Sequence, residues 1–175
     1  MGRSGEKWRK IRIFVVEIII SVRTMLFLGN IEAKIDVKGR AFLPASFRKM
    51  LQSEGFDRLV LRMDVYKDCL TLFPEPVWCA QLASLQAKLN KWNPQHQQIL
   101  RKYMEDVEIV YLDANGRLLL PKKKLEAAGI STDIKFLGMG NYIEIWKNDG
   151  ETFMEDEAFR EALESIMNDT KEPTP

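Results

Sequence analysis

A chain of 175 residues, 46% hydrophobic and 29% charged, can bury a core and fits one domain or a tight pair of half-domains. The net charge of +1 conceals a segregation: residues 149–175 carry nine Asp and Glu against two Lys and Arg, whereas the remainder is mildly basic, so an anionic partner is expected to meet the body rather than the tail. Two cysteines and one histidine are too few for the about four ligands of a structural zinc site or for a disulfide framework, and they fit buried thiols in a reducing compartment.

The chain opens on Arg3, Lys7, Arg9 and Lys10, then an apolar run from Ile11 to Val22. That is the outline of a signal peptide, but no small-residue cleavage site follows. Arg12 and Glu17 also interrupt the run, which falls short of the ~20 residues of a membrane span. Residues 1–24 are therefore read as an N-terminal extension, with Met25 as the expected biological start and no membrane among the partners.

From Met25 the predicted elements come in a fixed order. Ile31–Ile35 alternates like a half-buried strand, Asp36-Val-Lys38-Gly39 has turn chemistry, and Arg40–Leu43 resumes the strand to make a hairpin. Pro44 opens a short helix with Phe47, Met50 and Leu51 on its apolar face, stopped by Gly55. Arg58–Arg62 and Leu70–Phe73 are further strands. This first unit spans residues 25–77.

Residues 78–104 form two linking helices. Trp78, Leu82, Leu85, Leu89 and Trp92 recur at spacings of four and three as one apolar seam, expected to pack on the β-structure and open to contact with another subunit. A second helix starts at Pro94 and carries Ile99, Leu100 and Tyr103, with His96 read as a surface histidine. Residues 105–148 then repeat the earlier order. Val107–Leu112 is a strand, Asp113-Ala-Asn-Gly116 a turn, Arg117–Leu120 a strand, Pro121 to Gly129 a helix, and Ile134–Leu137 and Tyr142–Trp146 strands. Residues 149–175 are an acidic amphipathic helix with Phe153, Phe159, Leu163 and Ile166, and a tail from Lys171 to Pro175.

The repetition is the main signal. Asp36-x-x-Gly39-Arg40-x-x-Leu43-Pro44 recurs as Asp113-x-x-Gly116-Arg117-x-x-Leu120-Pro121, 77 residues later. A hairpin, a short helix and more strands, twice over, predict an α+β fold dominated by a small β-barrel, since each half alone is too small to bury its edges. Asp36, Gly39, Asp113 and Gly116 are explained by the turn itself. Arg40 and Arg117 are not, because a hairpin does not need a cation at the same offset in both copies. An Asp four residues before each Arg can orient the guanidinium by a bidentate pair, giving a fixed fork suited to phosphate or to a guanine edge.

Lys122, Lys123 and Lys124 sit in the first turn of the second-copy helix, where cations oppose the macrodipole. They are expected either to meet a phosphate backbone with Lys38 or to form a solvated lysine run. Duplicated aspartates also evoke the paired acids of aspartic proteases, but an Arg beside each carboxylate would hold it ionised, against the shared proton of such a dyad. No enzyme, cofactor, metal or small-molecule substrate is expected.

Residues from about Met25 to Trp146 closely resemble MraZ, a bacterial regulator family grouped with the AbrB/SpoVT swapped-hairpin barrels. The resemblance is carried by Phe27-Leu-Gly29, the two Asp-x-x-Gly-Arg-x-x-x-Pro phrases, Phe47-Arg48, Ala128-Gly129-Ile130 and Ile143-Glu-Ile-Trp146. It implies a duplicated swapped-hairpin, AbrB-like barrel with intervening and C-terminal helices. It also implies assembly into a homo-oligomeric ring, and sequence-specific binding to tandem repeats of double-stranded DNA in the promoter of a division and cell-wall gene cluster. Its DNA-contact motif falls on Asp36/Arg40 and Asp113/Arg117. A cytoplasmic, nucleoid-associated location follows. The chain departs from the family pattern at Glu105-Asp106 and at the lysine run. The rival reading is an oligomeric interaction module in which Arg40 and Arg117 pair acids of neighbouring subunits.

Overall fold

In a computed structural model that describes residues 25–150 and 153–168, strands β1 (Asn30–Lys34), β2 (Arg40–Phe42), β3 (Arg58–Met63) and β4 (Leu70–Pro74) come from the first copy. Strands β5 (Glu108–Tyr111), β6 (Arg117–Leu119), β7 (Asp133–Gly138) and β8 (Ile143–Lys147) come from the second. Five helices accompany them: α1 (Ala45–Ser53), α2 (Glu75–Lys88), α3 (Pro94–Glu105), α4 (Lys122–Ala127) and α5 (Asp156–Asn168). The expectations for residues 1–24 and for Lys171 to Pro175 lie outside the described residues.

The copies are interlaced. One antiparallel sheet runs β1-β7-β8-β4-β3-β5, and β2 and β6 form a separate two-stranded ribbon. Each copy lends its first strand to the other: β1 lies on β7, with Ile31 opposite Phe136, and β5 lies on β3, with Val110 opposite Leu59. The two closing strands, recognisable as counterparts in the sequence, meet at the sheet centre with Thr71 opposite Glu144.

This arrangement corrects the expected hairpins. Within each copy only a single bridge joins the strands flanking the turn, Ile35 to Ala41 and Leu112 to Leu118, before they diverge to partners in the other copy. The physical reason is edge satisfaction: an isolated two-stranded hairpin would leave two backbone edges unpaired, whereas exchange pairs them across the duplication. The ladder does not close. Among the described residues the six-stranded sheet ends on β1 and β5, so the architecture is α+β with a large open antiparallel sheet and a separate ribbon, rather than one continuous hydrogen-bonded barrel.

Alternation along the strands makes two faces. Leu59, Leu61, Leu70, Leu72, Ile134, Phe136, Ile143 and Ile145 line the core face, all essentially inaccessible. The ribbon contributes Ala41 and Leu118 to the same core, α1 contributes Phe47 and Leu51, and Phe27 meets Phe47 edge-on at 5.5 Å. The opposite face holds Arg62, Thr71, Phe73 and Glu144. Linking helices cover part of it: Trp78 of α2 and Tyr103 of α3 stack at 5.5 Å, and the Arg62 guanidinium lies 3.9 Å from the Tyr103 ring.

The apolar seam is shorter than its spacing suggests. α2 ends at Lys88, Leu89 is extended at φ −97° and ψ 137°, and Trp92 lies outside any helix, 83% exposed. Asparagines explain the break. Asn90 accepts the Trp92 N–H at 2.9 Å through its side chain, and Asn93 caps α3 by accepting from Gln95 N–H and His96 N–H ahead of Pro94. The His96 imidazole is half-buried and its Nδ1 accepts the Asn90 N–H at 2.8 Å, so it helps fix this turn. Cys69 is buried but Cys79 is exposed, contrary to the expectation of two buried thiols. Phe153 packs edge-on against Trp146 at 4.8 Å, whereas Phe159, Leu163 and Ile166 of α5 remain exposed. No helix among the described residues is long and apolar enough to cross a membrane.

Candidate nucleic-acid interface

The two repeated turns have the same construction. In the first, Asp36 N–H donates to the Arg40 carbonyl at 2.8 Å and Gly39 N–H donates to the Asp36 carbonyl at 2.9 Å. The Asp36 Oδ1 accepts the N–H groups of Lys38 and Arg40 at 2.8 and 3.0 Å. In the second, Asp113 Oδ1 accepts from Asn115 and Arg117 N–H, each at 2.9 Å. Gly39 and Gly116 sit at φ +79° and +78°, where a Cβ would be strained.

The second carboxylate oxygen of each Asp holds the Arg side chain. Arg40 donates to Asp36 Oδ2 from Nε at 2.8 Å, with Nη2 at 2.6 Å; Arg117 donates to Asp113 Oδ2 from Nε at 2.7 Å. The side-chain bond from Arg40 is the main reason the Asp36 carboxyl is held well down, at about 2, with the backbone bond from Arg40 next. The Asp113 carboxyl is also lowered, first by the backbone N–H of Arg117. Each Asp thus does two jobs, one oxygen folding the turn and the other aiming the guanidinium. The fork engages its carboxylate side-on through a single oxygen, not by the two-oxygen bidentate pair.

Strand exchange brings the turns together. Arg40 is paired with Leu119, Ala41 with Leu118 and Phe42 with Arg117. Directly paired residues share a face, so Arg40, Phe42, Arg117 and Leu119 form the outer face of the ribbon while Ala41 and Leu118 turn inward. Arg40 and Arg117 are diagonal neighbours, about 7–8 Å apart by ladder geometry. Each strand also closes the other copy's turn: Leu120 N–H donates to the Gly39 carbonyl at 2.8 Å, and Leu43 N–H to the Gly116 carbonyl at 3.1 Å.

Lys38, Lys122 and Lys123 are exposed, and Lys122 lies a loose 3.7 Å from Glu126. Lys124 is a correction. It is only 4% exposed, and its ammonium pairs with Asp106, bonding both the carboxylate and the backbone carbonyl, with Glu108 at 3.5 Å. Its place in the repeat explains this, because Lys124 stands where the first copy has the buried Phe47, and the position faces inward in both. Lys124 therefore contributes to the fold and is not available to DNA. Of the lysine run, Lys124 is thus the member that pairs with Asp106.

Sequence reasoning undervalued two further groups. Arg48 of α1 reaches the second-copy turn, donating from Nη1 to the Asn115 carbonyl at 3.3 Å. Phe42 and Leu119 are 57% and 58% exposed at two diagonal corners of the ribbon face, and the Arg117 guanidinium lies 5.8 Å from the Phe42 ring. Their signal was present in the sequence: alternation puts both on the same face as the arginines.

A second cluster, Asp64, Cys69 and Glu144, brings its donor atoms within 4.8 Å on the far side of the sheet. Its groups have local roles. Asp64 accepts the N–H of Tyr66 and Lys67 at 2.8 and 3.1 Å, and Glu144 accepts from Trp146 Nε1 at 2.8 Å. Burial, with Glu144 and Asp64 adding to it, pushes the Cys69 thiol up to about 12, so it is neither thiolate nor nucleophile at neutral pH.

A family model described as "MraZ protein, putative antitoxin-like" matches residues 26–102 and 105–166. The chain is 51% identical over 150 residues to a protein of Bacteroides fragilis named Transcriptional regulator MraZ, covering 85% of this chain and 95% of that one. A protein of the same name from Bacteroides thetaiotaomicron is 52% identical over 145 residues, covering 82% and 93%. One from Coxiella burnetii is 32% identical over 132 residues, covering 75% and 86%.

Proposed function

The chain belongs to the MraZ family, and on that premise we propose that it is a sequence-specific, DNA-binding transcriptional regulator whose reading surface is the β2–β6 ribbon. The observation that carries the proposal is the placement of Arg40 and Arg117, each fixed by its own Asp, on one exposed ribbon face. A two-stranded ribbon fits the ~12 Å width of the major groove, and Arg paired to guanine O6 and N7 is the commonest specific contact there.

The roles divide by charge. A guanidinium already neutralised by a carboxylate gains little from a phosphate, but it is pre-oriented for a base edge, where direction matters more than net charge. Phosphate attraction then falls to the exposed Lys38, Lys122 and Lys123. The same neutralisation weakens the rival reading, because acids from another copy would find Arg40 and Arg117 already paired.

Three lysines per chain give modest affinity. The fuller reading is a homo-oligomeric ring of swapped-hairpin barrels that presents several ribbons to tandem promoter repeats of a division and cell-wall gene cluster, gaining affinity through effective concentration. On this reading residues 25–77 and 105–148 are the two DNA-reading repeats, residues 78–104 link them, residues 149–175 are an appended acidic segment, and the protein acts in the cytoplasm at the nucleoid.

Equilibrium binding to the DNA upstream of the protein's own gene, measured against salt, tests this. The expected result is affinity that falls steeply with salt, and a log–log slope reduced by about one when Lys123 is replaced by Ala. No preference for that DNA over a scrambled duplex of equal length would overturn the proposal.

A further inference from the structure

Phe42 and Leu119 are the most exposed side chains on the outer face of the ribbon, more so than the arginines beside them. The two are equivalent positions of the repeat, and the ladder sets Phe42 against Arg117 and Leu119 against Arg40. The outer face therefore has cations at two corners and large apolar groups at the other two.

A surface used only for phosphate contact has no use for exposed Phe and Leu among its cations, and nothing in the chain's own packing needs them outside. Strand alternation already satisfies the core through Ala41 and Leu118, at 1% and 0% exposure. Only one apolar group protrudes from the base edges in the major groove, the 5-methyl of thymine.

From this we infer that Phe42 and Leu119 are specificity-determining residues that read thymine methyl groups while Arg40 and Arg117 read guanine edges. The inference rests on the DNA-binding reading above and deepens it. It divides the ribbon into a polar and an apolar reader, duplicated by the pseudo-symmetry of the repeat. Phe42 also flanks the Arg117 guanidinium at 5.8 Å, so the two readers are held side by side.

The test uses the full chain and two forms of the DNA upstream of its gene, one with thymine and one with uracil replacing every thymine. Uracil keeps every hydrogen-bonding group and removes only the methyl. The full chain is expected to bind the thymine duplex more tightly, by roughly fourfold for each methyl it buries. Phe42→Ala and Leu119→Ala are each expected to bind with the thymine-to-uracil ratio moved towards one, and circular dichroism melts establish that each is folded. Equal binding of both duplexes by the unaltered chain overturns this inference and leaves the DNA-binding reading standing; binding of neither overturns both. A thymine preference that survives in both variants assigns the methyl effect to DNA shape and overturns the inference. So does a change in oligomer mass in the variants with the ratio kept, which would assign Phe42 to a contact between subunits.

Discussion

Arg40 and Arg117 stand at diagonal corners of one three-pair ladder, Arg40 opposite Leu119 and Arg117 opposite Phe42. Two turns remote in sequence thus form one composite surface, and the loss of either arginine should be felt at one DNA site. Arg40→Ala and Arg117→Ala are each expected to weaken binding by about 1–3 kcal/mol, the discrimination typical of one good base contact. Arg→Lys should not restore it, because a point charge cannot reproduce the fork. Fluorescence anisotropy on a labelled upstream duplex measures each value.

Asp36 and Asp113 should titrate below the ordinary carboxylate range, Asp36 at about 2. A folded-state value below the unfolded one, near ~3.9, means that the turns stabilise the fold fully above that value and lose this contribution as pH falls towards the folded values. Between pH 6 and 8 these carboxylates should add nothing to the pH dependence of stability or binding. Carboxyl carbon NMR titration checks this, and Arg40→Ala should return Asp36 towards its usual value.

Lys123 and Lys124 are adjacent, yet their replacements should have opposite signatures. Lys124→Ala removes the partner of Asp106 from a nearly inaccessible site, so the melting temperature should fall. The loss should stay below the ~3–5 kcal/mol of a fully buried pair, because Asp106 is about one-third exposed. Lys123→Ala should leave the melt unchanged and lower only DNA affinity. Differential scanning calorimetry beside a binding titration separates the two.

Gly39→Ala should cost about 1–2 kcal/mol through left-handed backbone strain. Its added Cβ would also come within 3.1 Å of the Leu120 carbonyl oxygen, the group next to the ribbon closure. Chemical denaturation gives the stability change, and the ribbon amides should exchange faster with solvent.

Much of this was legible in the sequence. Alternation located the strands, the prolines began α1 and α4 within a residue of their observed starts, and the doubled Asp-x-x-Gly-Arg marked both turns. Strand partners were not legible, because local pattern fixes which face a strand buries but not which copy supplies its neighbour. The exchange of β1 and β5 and the ribbon joining Arg40 to Arg117 are outcomes of edge pairing across the whole chain. Lys124 departs from its expected place for a different physical reason. Its charge suggested a surface, while its register with Phe47 pointed to the core, and Asp106 supplied the partner that lets a lysine occupy that place. The apolar seam failed at Asn90 and Asn93, whose side chains bond backbone N–H groups and end one helix and begin the next.

Whether the two Asp–Arg turns act as one DNA-reading surface is decided by an electrophoretic shift on the DNA upstream of the protein's own gene. The unaltered chain should form a discrete, competitor-resistant complex. The Arg40→Ala, Arg117→Ala double variant should form none, while it still unfolds cooperatively, at a melting temperature lowered only by the loss of its two exposed Asp–Arg pairs, and with its sedimentation unchanged. A double variant that shifts the same DNA as well as the unaltered chain would mean that the two turns do not read DNA.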